Sequence, residues 1–276
     1  MCHKRRLLAS CAVPLAIWLY ADTASFTQTS FAQTSSAQTS ADHADPRAAA
    51  KAPRRMPDGK PDFGGIWQNP RAEGQRGENT TFDKSLMAPL KPGGEAFLEP
   101  RTGDPHHDDP RAFCFPPGFP SNMLAAYPIQ IVQSKDYMVI IHEFMRMTRI
   151  IPLDGRPHHE GIEPTYFGDS IGNWEGDTLV IDSTNFKRWS LDDYHYANRN
   201  EYRMHSDALH TIERLSYIDA KTIAYNLTID DPKIFTAPWT QEFTMAYKPE
   251  WDKTGIYEFV CEKNNRCPGG QCEGNK

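Results

Sequence analysis

The sequence predicts an all-β fold, an antiparallel meander of about eight to ten strands that closes into a barrel. Residues 129–262 contain short runs of β-branched and aromatic residues, each bounded by Asp, Gly or Pro. Such runs are typical of strands joined by tight turns, and this stretch has hardly any helical period. Closing the sheet would leave no edge strand open, and a barrel of this size encloses one small ligand.

The predicted strands follow one another along the whole of this stretch. The turn 175–177 joins two of them as a hairpin, because Gly176 permits positive φ. Residues 190–205 have no clear period and leave room for one short helix. The predicted strands are 129–132, 137–144, 148–151, 171–174, 178–182, 209–217, 222–229, 241–247 and 255–261.

The chain begins with the features of a secretory signal peptide. Lys4-Arg5-Arg6 precedes residues 7–21, an uncharged apolar run that is too short for a membrane anchor helix. Small residues suit cleavage after Ala32 or Ala24. Leu8-Ala-Ser-Cys11 resembles a lipoprotein processing site, but most of the apolar run follows that cysteine, which disfavours lipidation. We therefore expect a periplasmic or secreted protein.

Composition divides the chain into five parts. The stretch after the signal peptide is rich in Ala, Thr, Ser and Gln, has little to bury and is typical of a disordered linker. A Pro- and Gly-rich arm then precedes the strands. The predicted parts are a signal peptide (1–32), a linker (33–55), an irregular arm with the first barrel strand (56–128), the main β-barrel (129–262) and a C-terminal tail (263–276).

Four cysteines remain after removal of the signal peptide, and export permits them to form disulfides. Cys267 and Cys272 flank a short loop that can close on itself, and Cys114 and Cys261 would then pair across the domain. A zinc site built from the four sulfurs is the alternative, although the paired Cys-x-x-Cys spacing of such sites is missing.

Charge and motifs exclude several classes of protein. The formal net charge is −6 and no basic block follows the signal peptide, so nucleic acid is not a predicted partner. No later apolar run reaches membrane-spanning length. The sequence lacks a Gly-x-Ser-x-Gly elbow and a phosphate-binding glycine loop, and no Gly-x-Gly-x-x-Gly follows a strand, so no cofactor is predicted. Nothing in the sequence predicts an oligomeric state.

The first candidate for acid–base chemistry lies on the predicted strand 137–144. Alternation places Glu143 on one face of this strand and His142 on the other, among mostly apolar neighbours. One of these groups is therefore expected to point into the barrel, where burial would tune it for proton transfer. Arg146 and Arg149 follow closely and could hold a carboxylate or a developing oxyanion. A buried Glu–Arg pair that only fixes the barrel is the alternative.

A second candidate group lies on the predicted strand 209–217. His210 and Arg214 share one face of this strand. Glu213 lies on the other face among apolar neighbours, and His205 lies in the preceding loop. A histidine and a glutamate that face a pocket can act as general base and orienting group. The alternative is that His205 caps a turn and Arg214 forms a surface ion pair.

The remaining histidines lie in polar loops. His106-His-Asp-Asp109, His158-His-Glu160 and His195 are residue types that metals accept as ligands. Adjacent residues rarely chelate one ion together and no His-Glu-x-x-His spacing is present, so no metal site is predicted. Trp174, beside the predicted hairpin turn, could stack on an aromatic or sugar ring, and a structural role is its alternative.

Two sets of motifs resemble known proteins. Phe63-Gly-Gly-Ile-Trp67 contains Gly-x-Trp near the folded start, and in this it resembles the first strand of lipocalin-like (calycin) barrels. The second set is Pro57-Asp-Gly-Lys-Pro-Asp-Phe-Gly-Gly-Ile-Trp67, Cys114-Phe-Pro-Pro-Gly118, Tyr127-Pro-Ile-Gln-Ile-Val132, Asp154-Gly-Arg-Pro-His158, Gly172-Asn-Trp-Glu-Gly-Asp-Thr-Leu-Val-Ile-Asp182, His205-Ser-Asp-Ala-Leu-His-Thr-Ile-Glu-Arg214 and Thr228-Ile-Asp-Asp-Pro232. These motifs together resemble a family of exported bacterial proteins. The resemblance implies an exported single domain and carries no activity with it, and the pair Cys267 and Cys272 departs from its pattern.

These observations predict an exported, lipocalin-like barrel that takes a small apolar or aromatic molecule into its interior. Cofactor-free acid–base chemistry of the lyase, isomerase or hydrolase type is one form of this function. In that form Glu143 transfers the proton and Arg149 binds the anion. The predicted partners and ligand contacts are His205, His210, Arg146, Trp174, Glu213 and Arg214. The alternatives are a non-catalytic carrier or sensor, and an envelope interaction protein that acts through residues 69–128.

Overall fold

The computed structural model describes residues 52–71, 82–100, 111, 114–192 and 201–261. All of them belong to one compact unit, Pro46–Lys276. The predicted signal peptide lies outside the described residues, as do most of the linker, the histidines at 106, 107 and 195, and the pair Cys267 and Cys272.

Twelve strands, one short α-helix and four 3-10 helices make up the regular structure of the described residues. The 3-10 helices span Lys84–Leu86, Gly94–Phe97, Phe144–Arg146 and Trp251–Lys253. The helix, α1, spans Ser121–Leu124. The strands are β1 (Gly65–Trp67), β2 (Leu98–Pro100), β3 (Ile129–Gln133), β4 (Tyr137–His142), β5 (Thr148–Pro152), β6 (Asp169–Glu175), β7 (Thr178–Thr184), β8 (Trp189–Ser190), β9 (Glu201–His205), β10 (His210–Asp219), β11 (Thr222–Asp230) and β12 (Trp239–Ala246).

The strands form three sheets in which every ladder is antiparallel, so the predicted antiparallel all-β fold is confirmed. The first sheet has the order β1-β3-β4-β5, the second β12-β11-β10-β7-β6 and the third β2-β9-β8. Backbone bridges Trp67↔Tyr247 and Arg71↔Thr244 connect the first sheet to the second beside β12. The described residues contain no ladder between β5 and β6, and closure of a barrel therefore stays a prediction.

The first two sheets share one apolar core, because alternate residues of their strands face inward. On β11 the buried residues include Ile223, Tyr225 and Leu227, and their sequence neighbours are partly exposed. The predicted hairpin also forms, since β6 and β7 join through Gly176, which has φ +61°. The inner faces thus bring together side chains that are far apart in the sequence.

Residues 117–125 cover one end of this core, which we call the capped end. Leu124 accepts a hydrogen bond at its carbonyl from Asn69, which lies just beyond β1. Phe119 stacks on Phe186, which lies just beyond β7, with ring centroids 6.0 Å apart. Met123 is also buried, so α1 and the residues before it close the core where β1 and β7 end.

Two predictions of secondary structure are wrong. Residues 255–261 form no strand, and their apolar side chains Tyr257 and Val260 are 70% and 68% exposed because no inner face receives them. Within the stretch 190–205 the structure describes residues 190–192 and 201–205, which include the end of β8 and the whole of β9, and a short helix between them stays a prediction. The arm is only partly irregular, since its β2 pairs with β9 in the third sheet. Among the described residues, no helix has both the length and the apolar character needed to cross a membrane.

A disulfide joins Cys114 in the arm to Cys261 near the C-terminus, as predicted. The two residues are 147 positions apart, so the crosslink closes a long loop of the unfolded chain. We expect its loss to lower the free energy of unfolding by up to about 5 kcal/mol, because the crosslink removes loop-closure entropy from the unfolded state. Urea unfolding of the double variant Cys114→Ser/Cys261→Ser measures this loss.

The matched control for this prediction is Cys267→Ser/Cys272→Ser, which leaves the long crosslink intact. Equal unfolding midpoints for the wild-type protein and the Cys114→Ser/Cys261→Ser variant would contradict the prediction.

Candidate functional site

A buried ion pair crosses the core from β5 to β10. Arg149 donates from Nη2 to Oε2 of Glu213 over 2.6 Å and from Nη1 to Oε1 over 3.1 Å. The two side chains are 2% and 0% exposed. The Tyr225 hydroxyl also donates to Oε1 of Glu213, over 2.8 Å. The carboxylate therefore accepts three hydrogen bonds and fully matches the charge of the guanidinium.

Further contacts hold the guanidinium of Arg149 in place. Nη2 lies 3.1 Å from the Ser170 hydroxyl and 3.3 Å from the Ser183 hydroxyl, and these two hydroxyls are 2.8 Å apart. The ring of Phe119, from the capped end, lies 4.0 Å from Cζ of Arg149. This cation–π contact joins the ion pair to the cap.

Charge and burial oppose each other at the ion pair. Burial disfavours the charged guanidinium, but the neighbouring Glu213 outweighs it and holds the pKa of Arg149 above its ordinary value. Burial, and then the charge of Glu213, raise the pKa of Tyr225 well above its ordinary value. Tyr225 therefore remains a neutral hydrogen-bond donor.

In the described part of the chain, several buried polar side chains have at least one nitrogen or oxygen atom without a hydrogen-bond partner. Most buried polar atoms in proteins have a partner, so such a group points to a bound ligand or to ordered water. The atoms are both ring nitrogens of His142, both amide atoms of Asn122, Oδ1 of Asn69, Oγ1 of Thr211, Nε of Arg149, Nε2 of His205 and Nε1 of Trp239.

Strand register brings most of these side chains to the capped end. His142 pairs with Ile129, and Ile129 pairs with Trp67, so His142 and Asn69 both lie where the first sheet ends. The cap touches Arg149 through Phe119 and Asn69 through Leu124. The buried Asn122 belongs to the same cap and lies between Phe119 and Leu124 in the sequence.

Thr211 completes this group from the second sheet. It pairs with Ser183, whose hydroxyl receives a hydrogen bond from Arg149. We call His142, Asn122, Asn69, Thr211 and Arg149 the capped-end site.

His142 is uncharged in the fold. Burial, and secondarily the positive Arg149, lower the pKa of His142 from 6.5 to about 3. A neutral imidazole has one N–H donor and one acceptor nitrogen. Burial likewise lowers the pKa of His205 to about 4, and its Nδ1 lies 2.9 Å from the carbonyl oxygen of Ser206.

Two of the residues predicted for chemistry lie away from this site. β4 ends at His142, and Glu143 begins a turn with helical φ and ψ of −62° and −45°. Its carboxylate accepts a hydrogen bond from the backbone N–H of Tyr257 over 2.8 Å and thereby holds the C-terminal segment. Arg146 lies on the same turn and is exposed.

Two residues predicted for ligand contact lie on the outer surface or against neighbouring side chains. Arg214 forms an ion pair of 2.6 Å with Glu175, and the two side chains are 42% and 61% exposed. Trp174 stacks on Phe63 with ring centroids 6.0 Å apart, and Lys60 lies over the indole ring. Both residues thus have structural partners.

His210 belongs to a cluster on the outer face of the second sheet, the outer His–Asp cluster. Its Nε2 lies 3.0 Å from Oδ1 of Asp182, and so does Nε2 of His158. Nδ1 of His158 lies 2.9 Å from Oδ2 of Asp169, whose Oδ1 lies 2.8 Å from Nδ1 of His159. These side chains satisfy one another and fasten the segment 153–168 to the sheet.

The described part contains no group of three His, Cys, Asp or Glu side chains that could hold a metal ion. This finding covers the outer His–Asp cluster and the capped-end site.

The sequence reasoning missed several members of the buried network. Ser183 follows Leu179 and Ile181 at alternate positions of β7, and Tyr225 lies between Ile223 and Leu227 on β11. This alternation could have identified both as inward-facing polar groups. Asn122 gave no such signal, because it lies in the arm outside any strand.

No family model and no curated protein matches this chain.

We expect Arg149→Met and Glu213→Gln each to lower the free energy of unfolding by about 3–5 kcal/mol, because each leaves a buried group uncompensated. The double variant should recover much of this loss, since it removes both charges. Urea unfolding of the four proteins measures the coupling.

The neighbouring surface pair supplies the matched control. Arg214→Met and Glu175→Gln should each change the free energy of unfolding by less than about 1 kcal/mol, because the pair is exposed. Strictly additive losses in the Arg149 and Glu213 variants would refute a coupled buried pair.

We expect acid to weaken the fold as the pH falls from about 6.5 toward 3, because the unfolded chain binds a proton at His142 that the buried ring does not. A difference of one bound proton between the unfolded and folded states changes the free energy of unfolding by about 1.4 kcal/mol per pH unit. His142→Leu should flatten the dependence of unfolding free energy on pH, measured between pH 4.5 and 6.5. Part of the slope should persist, since the pKa of His205 is lowered as well.

The control for this prediction is His159→Leu, because the side chain of His159 is 53% exposed. A pH profile of His142→Leu that runs parallel to that of the wild-type protein would show that His142 is not the group responsible.

Proposed function

We propose that this protein is an exported binding protein that takes a small apolar or aromatic molecule into its interior at the capped end. The observation that carries the proposal is a group of buried polar atoms on His142, Asn122, Asn69 and Thr211 that have no hydrogen-bond partner among the described residues. An unsatisfied buried polar atom costs about 1–3 kcal/mol, and a bound molecule that pairs with several of them removes that cost.

The side chains around these polar atoms are apolar and suit the apolar part of a ligand. Phe119, Met123, Ile129 and Trp67 are all buried at this end of the core. The ring of Phe167 lies 6.1 Å from that of His142. Pockets for small molecules combine such apolar walls with a few polar groups that fix orientation.

The charge states of the buried groups favour binding over acid–base catalysis. A general base works best with a pKa near the working pH. In the described core, burial lowers the pKa of His142 to about 3, and Glu213 is fully engaged by Arg149 and Tyr225. The carboxylate of Glu143 is engaged by Tyr257. A carrier or sensor therefore fits these groups better than a lyase, isomerase or hydrolase.

Two observations support export. The N-terminal sequence has the charged and apolar regions of a signal peptide. The disulfide between Cys114 and Cys261 is of a kind that persists in oxidising compartments. A periplasmic or secreted location is part of the proposal.

Native mass spectrometry of the protein, purified from an oxidising periplasm, tests the proposal. We expect a bound organic mass on the wild-type protein and its loss in His142→Phe, because the phenyl ring fills the space and removes both nitrogens. His210→Phe is the matched control, since His210 lies in the outer His–Asp cluster and should leave the bound mass unchanged.

The bound mass should also return when the stripped wild-type protein is incubated with a periplasmic extract. A bare polypeptide after that incubation, with the wild-type protein folded, would overturn the binding function.

A further inference from the structure

The capped-end site has no net charge. Arg149 supplies the one positive group of the site, and Glu213 compensates it through two hydrogen bonds. His142 is neutral, because burial excludes its charged form. The other members of the site are amides and a hydroxyl, which carry no charge at any ordinary pH.

Other buried charged groups of the described core are also engaged by protein partners. Arg203 and Asp192 form their own ion pair. The carboxylate of Asp231 accepts hydrogen bonds of 2.6 Å from both the backbone N–H and the hydroxyl of Ser206. These charges are already engaged, so a charged ligand would find no free counter-charge among them.

The unused hydrogen-bonding capacity of the site contains both donors and acceptors. The Asn122 amide supplies two N–H donors and one acceptor oxygen, and the His142 ring supplies one of each. Nε of Arg149 is a donor, Oδ1 of Asn69 is an acceptor, and the Thr211 hydroxyl can be either. A group that only donates or only accepts would leave half of this capacity unpaired.

The neutrality of the site and its mixture of free donors and acceptors exclude most classes of polar group that a ligand could place there, which we call its head group. An ionised carboxylate or ammonium would be buried without a partner charge, which is strongly unfavourable. A molecule without polar atoms would leave the amide of Asn122 and the ring of His142 unsatisfied. An uncharged group that both donates and accepts matches the site in charge and in hydrogen bonding.

We propose that the molecule bound at the capped end presents an uncharged head group of the carboxamide class, which pairs with Asn122 and His142. This inference rests on the proposed binding function and adds the chemical class of the ligand to it. The apolar body of the ligand then lies toward Phe119 and Ile129.

A matched set of small aromatic probes tests this class. Benzamide, benzoate, benzylammonium and toluene share one ring and differ in the charge and hydrogen bonding of the substituent, and the corresponding naphthalene derivatives repeat the series on a larger body. Binding to the stripped protein at pH 7 is measured by ligand-observed NMR and by titration calorimetry. We expect the carboxamide of the better-fitting ring to bind at least tenfold more tightly than the carboxylate, the ammonium or the methyl compound.

Asn122→Leu removes the amide at nearly constant side-chain volume. It should weaken carboxamide binding about tenfold, the scale of one lost buried hydrogen bond, and leave methyl-probe binding unchanged. The melting temperature of the unliganded protein should not fall, because the Asn122 amide has no described protein partner. Asn173→Leu, on the exposed face of β6, is the control and should change the binding of neither probe.

The outcomes separate the two levels of the proposal. Tighter binding of the carboxylate or the ammonium, or equal binding of carboxamide and methyl probes, would overturn the carboxamide class and leave the binding function standing. Failure of every probe in both ring series to bind would also overturn the carboxamide class if a periplasmic extract still restores a bound mass, and would overturn the binding function itself if it does not. If Asn122→Leu does not fold, His142→Leu provides the same comparison, since both nitrogens of that ring are unpartnered.

Discussion

The ion pair between Arg149 and Glu213 is the constraint on which the interior of this protein depends. It joins β5 of the first sheet to β10 of the second, and both side chains are almost completely buried. A slip of one residue in either strand would turn one charge outward and leave the other alone in the core. The pair therefore fixes the register of the two sheets relative to each other.

This constraint also explains why the interior and the outer surface have different chemistry. On the outer face of the second sheet, the rings of His158 and His210 meet the carboxylate of Asp182, so that the polar groups there satisfy one another. In the interior, Glu213 pairs with Arg149 and accepts a hydrogen bond from Tyr225. Within the described part, the ring nitrogens of His142 and the amide of Asn122 have no hydrogen-bond partner. Open hydrogen-bonding capacity, and not the number of ionisable groups, is the reason for proposing the capped end as a binding site.

Alternation along the strands allowed much of the fold, but less of the site, to be predicted from the sequence. It correctly placed Glu213 on the apolar face of β10. It left open whether His142 or Glu143 points into the interior. That choice depended on where β4 ends, because the turn with positive φ at Met145 and Arg146 reverses the chain directly after it. Neither the partner of Arg149 nor the position of Asn122 follows from local periodicity, since both depend on contacts between residues distant in the sequence.

The arm before β3 is part of the site through its last residues. Phe119 and Leu124 are completely buried, and the backbone N–H of Phe119 donates to the carbonyl of Tyr166 in the segment between β5 and β6. A segment with so much buried apolar surface is a structural element of the core, which argues against residues 117–125 as a free surface for a protein partner. Because this cap covers that end of the core, the proposed ligand would have to displace part of it, and the cap also contacts Arg149. Access to the site and the stability of the ion pair are therefore coupled through the ring of Phe119.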